Sequence, residues 1–296
     1  MKVGLTLPQG CDREYLGLEA GPAWDRTVEV AREAERLGFG SLWAYDHFQV
    51  DPPPEPALVF EPFVELAALA MATSRAHLGH LVMAAAYRPA ALTAKMISTL
   101  DVVSGGRAIL GIGAGWKEDE WRSYGYGFPD APGRLAILSD HLEVITRMLA
   151  PGTATYEGRH ASVFGAIHEP KGIQPHIPVV IGGNGPSVTW RLAARFADEL
   201  NLDAMMPDEV ERALPIIRER CEEVGRDPAT LAVSVHLWGR PAAEPGPALR
   251  ARLREYEGLG LSRVILQGFA AVSDAGLIER LAADAAAVGC LEPTSA

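Results

Sequence analysis

Hydrophobic and polar positions follow two alternating patterns along the chain. Short apolar, β-branched runs end at Gly, Pro or Asp, and an amphipathic stretch of roughly 12–18 residues follows each of them. The runs predict strands at Val3–Pro8, Ser41–Tyr45, His77–Ala84, Arg107–Ile112, Pro178–Ile181, Glu199–Leu202, Leu231–Trp238 and Arg263–Gln267. The amphipathic stretches predict helices near Trp24–Leu37, Pro62–Thr73, Ala90–Val103, Arg134–Leu149, Pro186–Phe196, Asp208–Val224, Pro247–Leu259 and Asp274–Val288. This strict alternation predicts parallel strands connected by helices.

The number of repeats indicates the fold class. Eight strand–helix units of about 35–40 residues in a chain of 296 favour an α/β fold of the (β/α)8 TIM-barrel type. A doubly wound sheet is the alternative, and it would usually contain fewer repeats. Two connections are long: Gln49–Glu61, which is proline-rich at 52–54, and Pro151–Pro178, which predicts a small hairpin inserted after the fourth helix. We expect a single domain over residues 1–296.

The composition narrows the classes of function. Apolar residues make up 48% of the chain and charged residues 22%, which is typical of a soluble globular protein, and no apolar run reaches the ~18 residues that a membrane span requires. With 27 basic and 38 acidic residues, the net charge is −11, so the positive field on which nucleic-acid binding depends is missing. The three widely spaced cysteines predict a reducing compartment, and the cytoplasm is the expected location. No spacing of His, Cys or Asp predicts a metal site.

In a TIM barrel the reactive residues lie at the carboxyl ends of the strands. Asp46 and His47 follow the second strand, where an imidazole either exchanges protons with a ligand or caps the strand through an ordinary hydrogen bond. Glu118 and Glu120 follow the fourth strand. For this acidic pair a solvated loop is the favoured interpretation, and a general acid is the other.

Alternating glycines mark the end of the fourth strand. Gly111, Gly113 and Gly115 remove Cβ atoms from one side of the chain, which either allows a flat ligand to approach closely or serves tight packing at the barrel mouth. A dinucleotide-binding fingerprint is excluded because no helix begins directly after these glycines.

Glycines also occur in the third and fifth strands. Gly182–Asn184 precedes a predicted helix, and this arrangement favours a phosphate site over a plain turn because backbone N–H groups and the helix dipole attract anions. Gly79 within the third strand indicates a bulge or a close ligand contact. A structural role is favoured for the neighbouring His80.

Three segments together resemble a known superfamily. They are SLWAYDHF at 41–48, the segment LGHLVMAAAYRPAALTAKMISTLDVVSGGRAILGIGAGWKEDEWRSYG at 78–125, and IPVVIGGNGPSVTWRLAARFADELN at 177–201. They are similar to luciferase-like monooxygenases, and more closely to the oxidoreductases that depend on the deazaflavin coenzyme F420. The likeness is strong over about residues 1–200, and SGGRxxLGxGxGW is its most specific part.

The resemblance implies a (β/α)8 barrel that holds a flavin or deazaflavin at its mouth. The ring would rest against a bulge of the third strand, often a non-prolyl cis peptide, at Leu81–Val82. The cofactor phosphate would lie on Gly182–Asn184, and His47, beside Asp46, would lie near the reacting carbon. In the sugar-phosphate dehydrogenases of this superfamily a Glu follows the GxGxG run as proton donor. Here Trp116 stands in that place, which predicts a more apolar pocket.

The expected site follows from the strand ends and the resemblance together. We expect catalytic roles for His47 and Trp116. The expected cofactor-binding residues are Asp46, Gly79, His80, Leu81, Val82, Gly111, Gly113, Ala114, Gly115, Gly182, Gly183 and Asn184. Because the chain is acidic and the cofactor tail is anionic, nearby cations are needed, and Arg88, Lys95 or Arg191 are the candidates.

The expected function is hydride transfer between coenzyme F420 and a small organic substrate, with His47 moving the proton. The alternative of the same fold is an FMN-dependent monooxygenase of a two-component system that uses a separate flavin reductase. A non-catalytic flavin- or ligand-binding protein is the alternative from another class. We expect a small-molecule substrate, no nucleic-acid or membrane partner, and a homodimer joined through the ends of the second and third helices.

Overall fold

Strands and helices alternate along the chain in the computed structural model, which describes residues 1–50, 56–239 and 243–291. The strands are β1 Lys2–Thr6, β2 Ser41–Ala44, β3 His77–His80, β4 Met83–Ala84, β5 Ala108–Gly113, β6 Ala154–Glu157, β7 Ser162–Ala166, β8 Val179–Gly182, β9 Glu199–Asp203, β10 Ala232–Leu237 and β11 Arg263–Gln267. The helices are α1 Ala20–Arg36, α2 Pro62–Ala72, α3 Ala90–Ser104, α4 Glu118–Ser123, α5 Ala131–Leu149, α6 Thr189–Phe196, α7 Pro207–Glu223, α8 Pro247–Gly258 and α9 Leu277–Ala286. The proline-rich stretch at 52–54 lies outside the described residues.

The parallel strands close into a barrel. Nine of the described strands form one sheet in the order β3-β2-β1-β11-β10-β9-β8-β5-β4. β3 also pairs with β5, with Leu78 opposite Ala108, and this pairing joins the two ends of the sheet. β3 and β4 are two parts of the predicted third strand, so the barrel has eight strand positions. The predicted (β/α)8 TIM-barrel fold is confirmed.

The structure differs from the simple repeat in three places. A cis peptide between Leu81 and Val82 separates β3 from β4, at the position that the resemblance implied. The predicted insertion after the fourth crossover helix, here α5, is confirmed as the antiparallel hairpin β6–β7. The short helix α4, which the sequence reading took for a solvated loop, follows β5. Among the described residues, none of the helices combines the length and apolar character that crossing a lipid bilayer requires.

Alternation along the strands separates two hydrophobic cores. Outward-facing residues such as Leu42 and Ile181 pack in the large core between the barrel and its helices. A second, smaller core fills the inside of the barrel. It consists of Trp43, Leu81, Ile109, Val180 and Ile265. Among the described residues, side chains therefore fill the interior of the barrel, as is usual for this fold.

Trp43 occupies the barrel interior below the mouth. The guanidinium carbon of Arg263 lies 5.2 Å from the centre of the Trp43 ring system, and Arg263 also pairs with Glu199 at 3.3 Å. Gly79 makes room for this indole, because an ideal Cβ at Gly79 would lie 2.5 Å from the Trp43 ring. The expectation that Gly79 contacts a cofactor is therefore replaced by a packing role.

Gly111 offers a test of the packing between strands. An ideal Cβ at Gly111 would lie 1.7 Å from the carbonyl oxygen of His80, a backbone atom that cannot swing aside. We expect Gly111→Ala to lower the free energy of unfolding by about 3 kcal/mol, at the upper end for overpacking a core. Gly258→Ala is the control, because a Cβ there meets no atom within 4 Å. Urea denaturation measures both, and an unchanged stability of Gly111→Ala would contradict the packing role.

Candidate active site

A cavity of about 540 Å³ opens at the carboxyl ends of the barrel strands. This volume lies in the range of small-molecule sites. Most of the predicted site residues line it, namely Asp46, His47, Leu81, Val82, Gly113, Ala114, Gly115, Trp116, Gly182, Gly183 and Asn184. Gly79, His80 and Gly111 are not among the described lining residues. The structure thus brings together residues from widely separated parts of the chain.

The chain beyond β2 is held rigidly at the mouth. The Gln9 side chain is buried, accepts a hydrogen bond from the Tyr45 N–H at 2.9 Å, and donates to the Tyr45 carbonyl oxygen at 2.8 Å. Both backbone groups of Tyr45 are therefore satisfied as they would be in a continued strand. Tyr45, Asp46 and His47 all line the cavity.

Asp46 organises the cavity wall through ionic hydrogen bonds. Its two carboxylate oxygens accept a bidentate pair from Arg88 at 2.8 and 2.9 Å, and one of them also accepts from the Ala84 N–H at 2.9 Å. Arg88 further donates to Glu61 at 2.6 Å. The predicted role of Arg88 as a cation for the cofactor tail is corrected, because Arg88 is buried against these two carboxylates and does not line the cavity.

His47 is paired with a buried carboxylate that the sequence reading assigned to solvent. Its Nδ1 lies 2.9 Å from Oε2 of Glu120. Glu120 is fully buried and also accepts hydrogen bonds from the N–H of Phe48 at 2.6 Å and from the Tyr87 hydroxyl at 3.0 Å. The solvated-loop interpretation is therefore wrong for Glu120. Glu118 is also helical, as the first residue of α4, but its side chain is exposed and pairs with Arg122, so for Glu118 the solvent contact is as predicted and the loop is not.

The charge on Glu120 fixes the orientation of the His47 ring. Burial raises the pKa of Glu120, but hydrogen bonds from His47, the Phe48 N–H and Tyr87 outweigh it and hold that pKa below its usual value. An ionised carboxylate only accepts hydrogen bonds, so Nδ1 of His47 carries the proton that it donates to Glu120. Nε2 is then the ring nitrogen left for a ligand.

Trp116 forms a wall beside His47. Its side chain is 67% exposed and lines the cavity, and the two ring centres are 6.0 Å apart at an interplanar angle of 82°. An indole has only a weak N–H donor and does not exchange protons near neutral pH. Trp116 therefore provides a contact surface at the cavity wall and is not a proton-transfer group, which corrects the expected catalytic role.

The two other glycines of the fourth-strand motif do reach the cavity. An ideal Cβ at Gly113 would lie 2.7 Å from a methyl of Val82, and one at Gly115 would lie 2.7 Å from the Trp121 ring. Gly115 also has a positive φ of 76°, which L side chains rarely adopt. Gly113 and Gly115 therefore leave room for packed side chains at the cavity wall.

His80 faces away from the cavity. It is fully buried against Phe63 of α2, with ring centres 4.1 Å apart. Among the described residues neither ring nitrogen has a hydrogen-bond partner. Burial, with the charge of Arg88 nearby, lowers the pKa of His80 to about 3, so the ring is neutral at pH 7. The predicted cofactor contact of His80 is replaced by a place in the outer core.

The predicted phosphate loop lies at the cavity but is partly committed to internal bonds. The Gly183 N–H donates to the carbonyl of Asn201 at 3.0 Å. Asn184 binds both backbone groups of Asp203, donating to its carbonyl at 2.8 Å and accepting from its N–H at 2.9 Å. The loop is thus tied to β9, and Thr189, the first residue of α6, also lines the cavity beside it.

The predicted helper cations lie elsewhere. Lys95 donates to the carbonyl of Glu169 at 2.6 Å, and Arg191 lies 3.5 Å from Glu223. Neither residue lines the cavity. Among the described lining residues, Lys117 is the one lysine or arginine, and its ammonium lies 3.4 Å from the carbonyl of Val50.

The structure contains a second polar cluster at the mouth, which the sequence analysis did not predict. The Tyr45 hydroxyl lies 2.9 Å from Nε2 of His236 at the end of β10. Nδ1 of His236 lies 3.6 Å from a carboxylate oxygen of Asp203 at the end of β9, and Trp238 donates to the same oxygen at 2.7 Å. All four side chains line the cavity. Polar residues at alternate, inward positions of β9 and β10 are the signal that could have found them.

The fold and the site define an enzyme of the (β/α)8-barrel class whose polar groups converge at the barrel mouth. The chain belongs to the luciferase-like monooxygenase family, whose sequence profile matches residues 1–279. This confirms the superfamily predicted from the strand-end motifs.

Known proteins share the sequence or the fold to different degrees. An uncharacterized protein of Mycobacterium tuberculosis strain H37Rv is 28% identical over 272 residues, which cover 86% of this chain and 92% of the relative. The F420-dependent glucose-6-phosphate dehydrogenase of Kineococcus radiotolerans is 31% identical over 232 residues, covering 76% of this chain and 66% of the relative. The solved structure of an F420-dependent secondary alcohol dehydrogenase in complex with an F420-acetone adduct has a TM-score of 0.80 and 18% identity, with 97% of this chain and 99% of that one covered. This likeness shows the fold.

The pairing of Glu120 with His47 predicts a pH-dependent loss of stability. Folding lowers the pKa of Glu120 below the usual 4.5, so its ionised form stabilises the fold above that pH, and the contribution is lost as the pH falls through the folded-state pKa. We expect Glu120→Gln to lower the free energy of unfolding by about 2 kcal/mol at pH 7, because four hydrogen bonds lose their charged acceptor. The difference in the free energy of unfolding between Glu120→Gln and the wild type should become smaller below pH 4.5.

Urea denaturation across this pH range measures the effect, and Glu118→Gln is the matched control on the same helix. That variant removes only an exposed i,i+4 ion pair with Arg122, so we expect a change within about 0.5 kcal/mol at every pH. The pairing would be contradicted if Glu120→Gln and the wild type differed in free energy of unfolding by the same amount at pH 7 and at pH 4.

Proposed function

We propose that this protein transfers a hydride between coenzyme F420 and a small organic substrate at the barrel mouth. The observation that carries the proposal is the His47–Glu120 pair, in which a buried carboxylate holds Nδ1 at 2.9 Å and leaves Nε2 for a ligand. When hydride is exchanged at carbon, the attached heteroatom gains or loses a proton, and a positioned imidazole serves that step. The relative named as an F420-dependent dehydrogenase, 31% identical, supports this cofactor.

The residues of the cavity fit a flat ring with an anionic tail. Leu81 and Val82 present an apolar wall, and Gly113 and Gly182 face Val82 without Cβ atoms of their own. We assign the support of the ring to Leu81 and Val82. The loop Gly182–Asn184, with the start of α6 behind it, is the place for a phosphate. Lys117 supplies positive charge at the wall.

The protein's own groups orient the substrate and move the proton. Coenzyme F420, when bound, supplies or accepts the hydride. In the direction of oxidation, the hydrogen on carbon leaves with both bonding electrons, and the proton of the adjacent O–H or N–H passes to Nε2 of His47. The imidazolium that results is stabilised by the Glu120 carboxylate, 2.9 Å from Nδ1. In the direction of reduction, the same proton returns from His47 to the substrate.

The walls favour a small substrate without multiple negative charges. Trp116, Trp238 and Phe269 supply aromatic surface, and Trp116 stands where the sugar-phosphate dehydrogenases of the superfamily have a Glu. An FMN-dependent monooxygenase with a separate reductase is the competing function, because the same cavity would admit a flavin. The name of the 31% identical relative favours F420 over FMN.

The assembly and location stay predictions. Val64 and Met71 on α2 are 71% and 76% exposed, and Leu92 on α3 is 49% exposed, which supports the predicted homodimer contact through these helices. The cytoplasmic location and the single-domain organisation over residues 1–296 rest on the sequence.

Direct binding distinguishes the two cofactors. We expect the purified protein to bind F420 with a micromolar or lower Kd, measured by quenching of the cofactor's fluorescence, and to bind FMN at least about 10-fold more weakly, a difference of about 1.4 kcal/mol. Reduced F420 should be consumed with an acceptor in the absence of oxygen. Preferential binding of FMN, together with oxygen consumption when a flavin reductase and NADH are added, would overturn the proposal in favour of the monooxygenase.

Replacement of His47 tests the proton-transfer step. We expect His47→Asn to lower kcat by about 10²–10⁴-fold, the usual contribution of general acid–base catalysis, while the Kd for F420 changes little. His160→Asn is the control, because His160 lies exposed on the inserted hairpin. An unchanged kcat in His47→Asn would remove His47 from the mechanism, and an unchanged kcat together with weaker F420 binding would make it a cofactor contact.

A further inference from the structure

The cluster of Tyr45, His236 and Asp203 has no part in the proton transfer assigned to His47. Tyr45 lies between the two histidines of the cavity, with ring centres 6.2 Å from His47 and 5.5 Å from His236. One small substrate can therefore contact His47 and the Tyr45 hydroxyl together. Two polar centres share the mouth, and the segment that follows β2 supplies a residue to each.

Backbone and ring contacts fix the position of each member. Gln9 holds both backbone groups of Tyr45, and Phe269 packs against its ring at 5.1 Å. Asn184 holds both backbone groups of Asp203. The geometry of the cluster is thus set by the barrel before any ligand arrives, which lowers the entropic cost of binding one.

The charge state of the cluster determines which hydrogens it offers. Burial raises the pKa of Asp203, but His236 and Trp238 outweigh it, so the pKa is lowered and Asp203 is ionised. Burial lowers the pKa of His236 despite Asp203, which keeps the imidazole neutral at pH 7. Burial raises the pKa of Tyr45, so the phenol keeps its proton.

The nearby carboxylate selects one tautomer of His236. Asp203 lies 3.6 Å from Nδ1, which favours the proton on that nitrogen. Nε2 then accepts the hydrogen bond of the Tyr45 hydroxyl at 2.9 Å. The Tyr45 oxygen keeps a lone pair for a donor that enters the cavity.

We propose that Tyr45 is a substrate-recognition residue, positioned by His236 and Asp203, and that it selects substrates with a hydroxyl group beside the reacting one, which donates its hydrogen to the Tyr45 oxygen. This inference rests on the proposed function for its role in turnover, because it identifies the substrate as one that carries a hydroxyl group close to the carbon that exchanges the hydride. Tyr45 holds this second hydroxyl, and His47 exchanges the proton of the reacting group. The aromatic walls of Trp116 and Trp238 contact the remaining apolar part of the alcohol.

Ligand binding tests the recognition step without turnover. The probes are cyclohexanol and chlorocyclohexane, which are similar in size and differ in the hydroxyl group, and the full chain is titrated calorimetrically with and without saturating F420. We expect the wild type to bind cyclohexanol about 10-fold more tightly, the effect of one well-placed hydrogen bond. Tyr45→Phe should abolish this preference by weakening cyclohexanol alone, with the Kd of F420 unchanged within about 2-fold.

Tyr156→Phe is the matched control, because it removes a hydroxyl that binds Asp140 at 2.7 Å outside the cavity. We expect it to keep the wild-type preference. Absence of a preference in the wild type, or its persistence in Tyr45→Phe, overturns the proposal. Loss of F420 binding in Tyr45→Phe with the preference intact also overturns it, since Tyr45 would then contact the cofactor.

Nitrogen-15 NMR of histidine separates a positioning role from a merely structural one. The wild type should show His236 as the neutral Nδ1–H tautomer, and Asp203→Asn should shift the population toward Nε2–H and weaken cyclohexanol binding by about 3-fold in a folded protein. An Nε2–H tautomer in the wild type would overturn the assignment. If F420 fails to bind while the alcohol preference stands, the proposed function fails and the recognition by Tyr45 survives, so the two failures are distinguishable.

Discussion

The buried carboxylate of Glu120 is the contact on which the mouth depends. It accepts hydrogen bonds from the backbone N–H groups of Phe48 and Gln49, from the Tyr87 hydroxyl and from His47. One side chain thereby joins α4 to the segment after β2 and to the turn after β4. A fully buried carboxylate is costly unless donors surround it. Here three of the donors hold the carboxylate in place, and the carboxylate in turn orients the imidazole of His47.

Much of the fold could be predicted because it depends on local periodicity. Apolar runs and amphipathic stretches gave the order of strands and helices, and eight repeats can close in few ways. The strand ends then share one face of the barrel. For this reason the sequence alone could place four residues near each other: Asp46, His47, Gly113 and Gly182. The insertion with its hairpin followed from an unusually long connection.

The rest of the site depends on which face of a strand or helix a residue occupies, and on partners that are distant in the sequence. Glu120 is separated from His47 by 73 positions, and its acidic neighbours concealed a buried face formed with Lys117 and Trp121 at helical spacing. His80 shares the outward phase of Leu78, and two-residue alternation could have placed it in the outer core. Gly111 is explained by an approach of strands to within 1.7 Å of where its Cβ would lie, which no local pattern encodes.

A single strand end connects the two polar centres. Tyr45 and His47 are two residues apart, and each bonds a different cluster: His47 bonds Glu120, and Tyr45 bonds His236. Asp46, between them, also lines the cavity and accepts a hydrogen bond from Arg88. The bonds of Gln9 to the Tyr45 backbone therefore set the separation of both centres at once. The spacing between His47, the proposed proton-transfer group, and Tyr45, the proposed recognition group, therefore depends on the barrel backbone and on the Gln9 side chain that holds it.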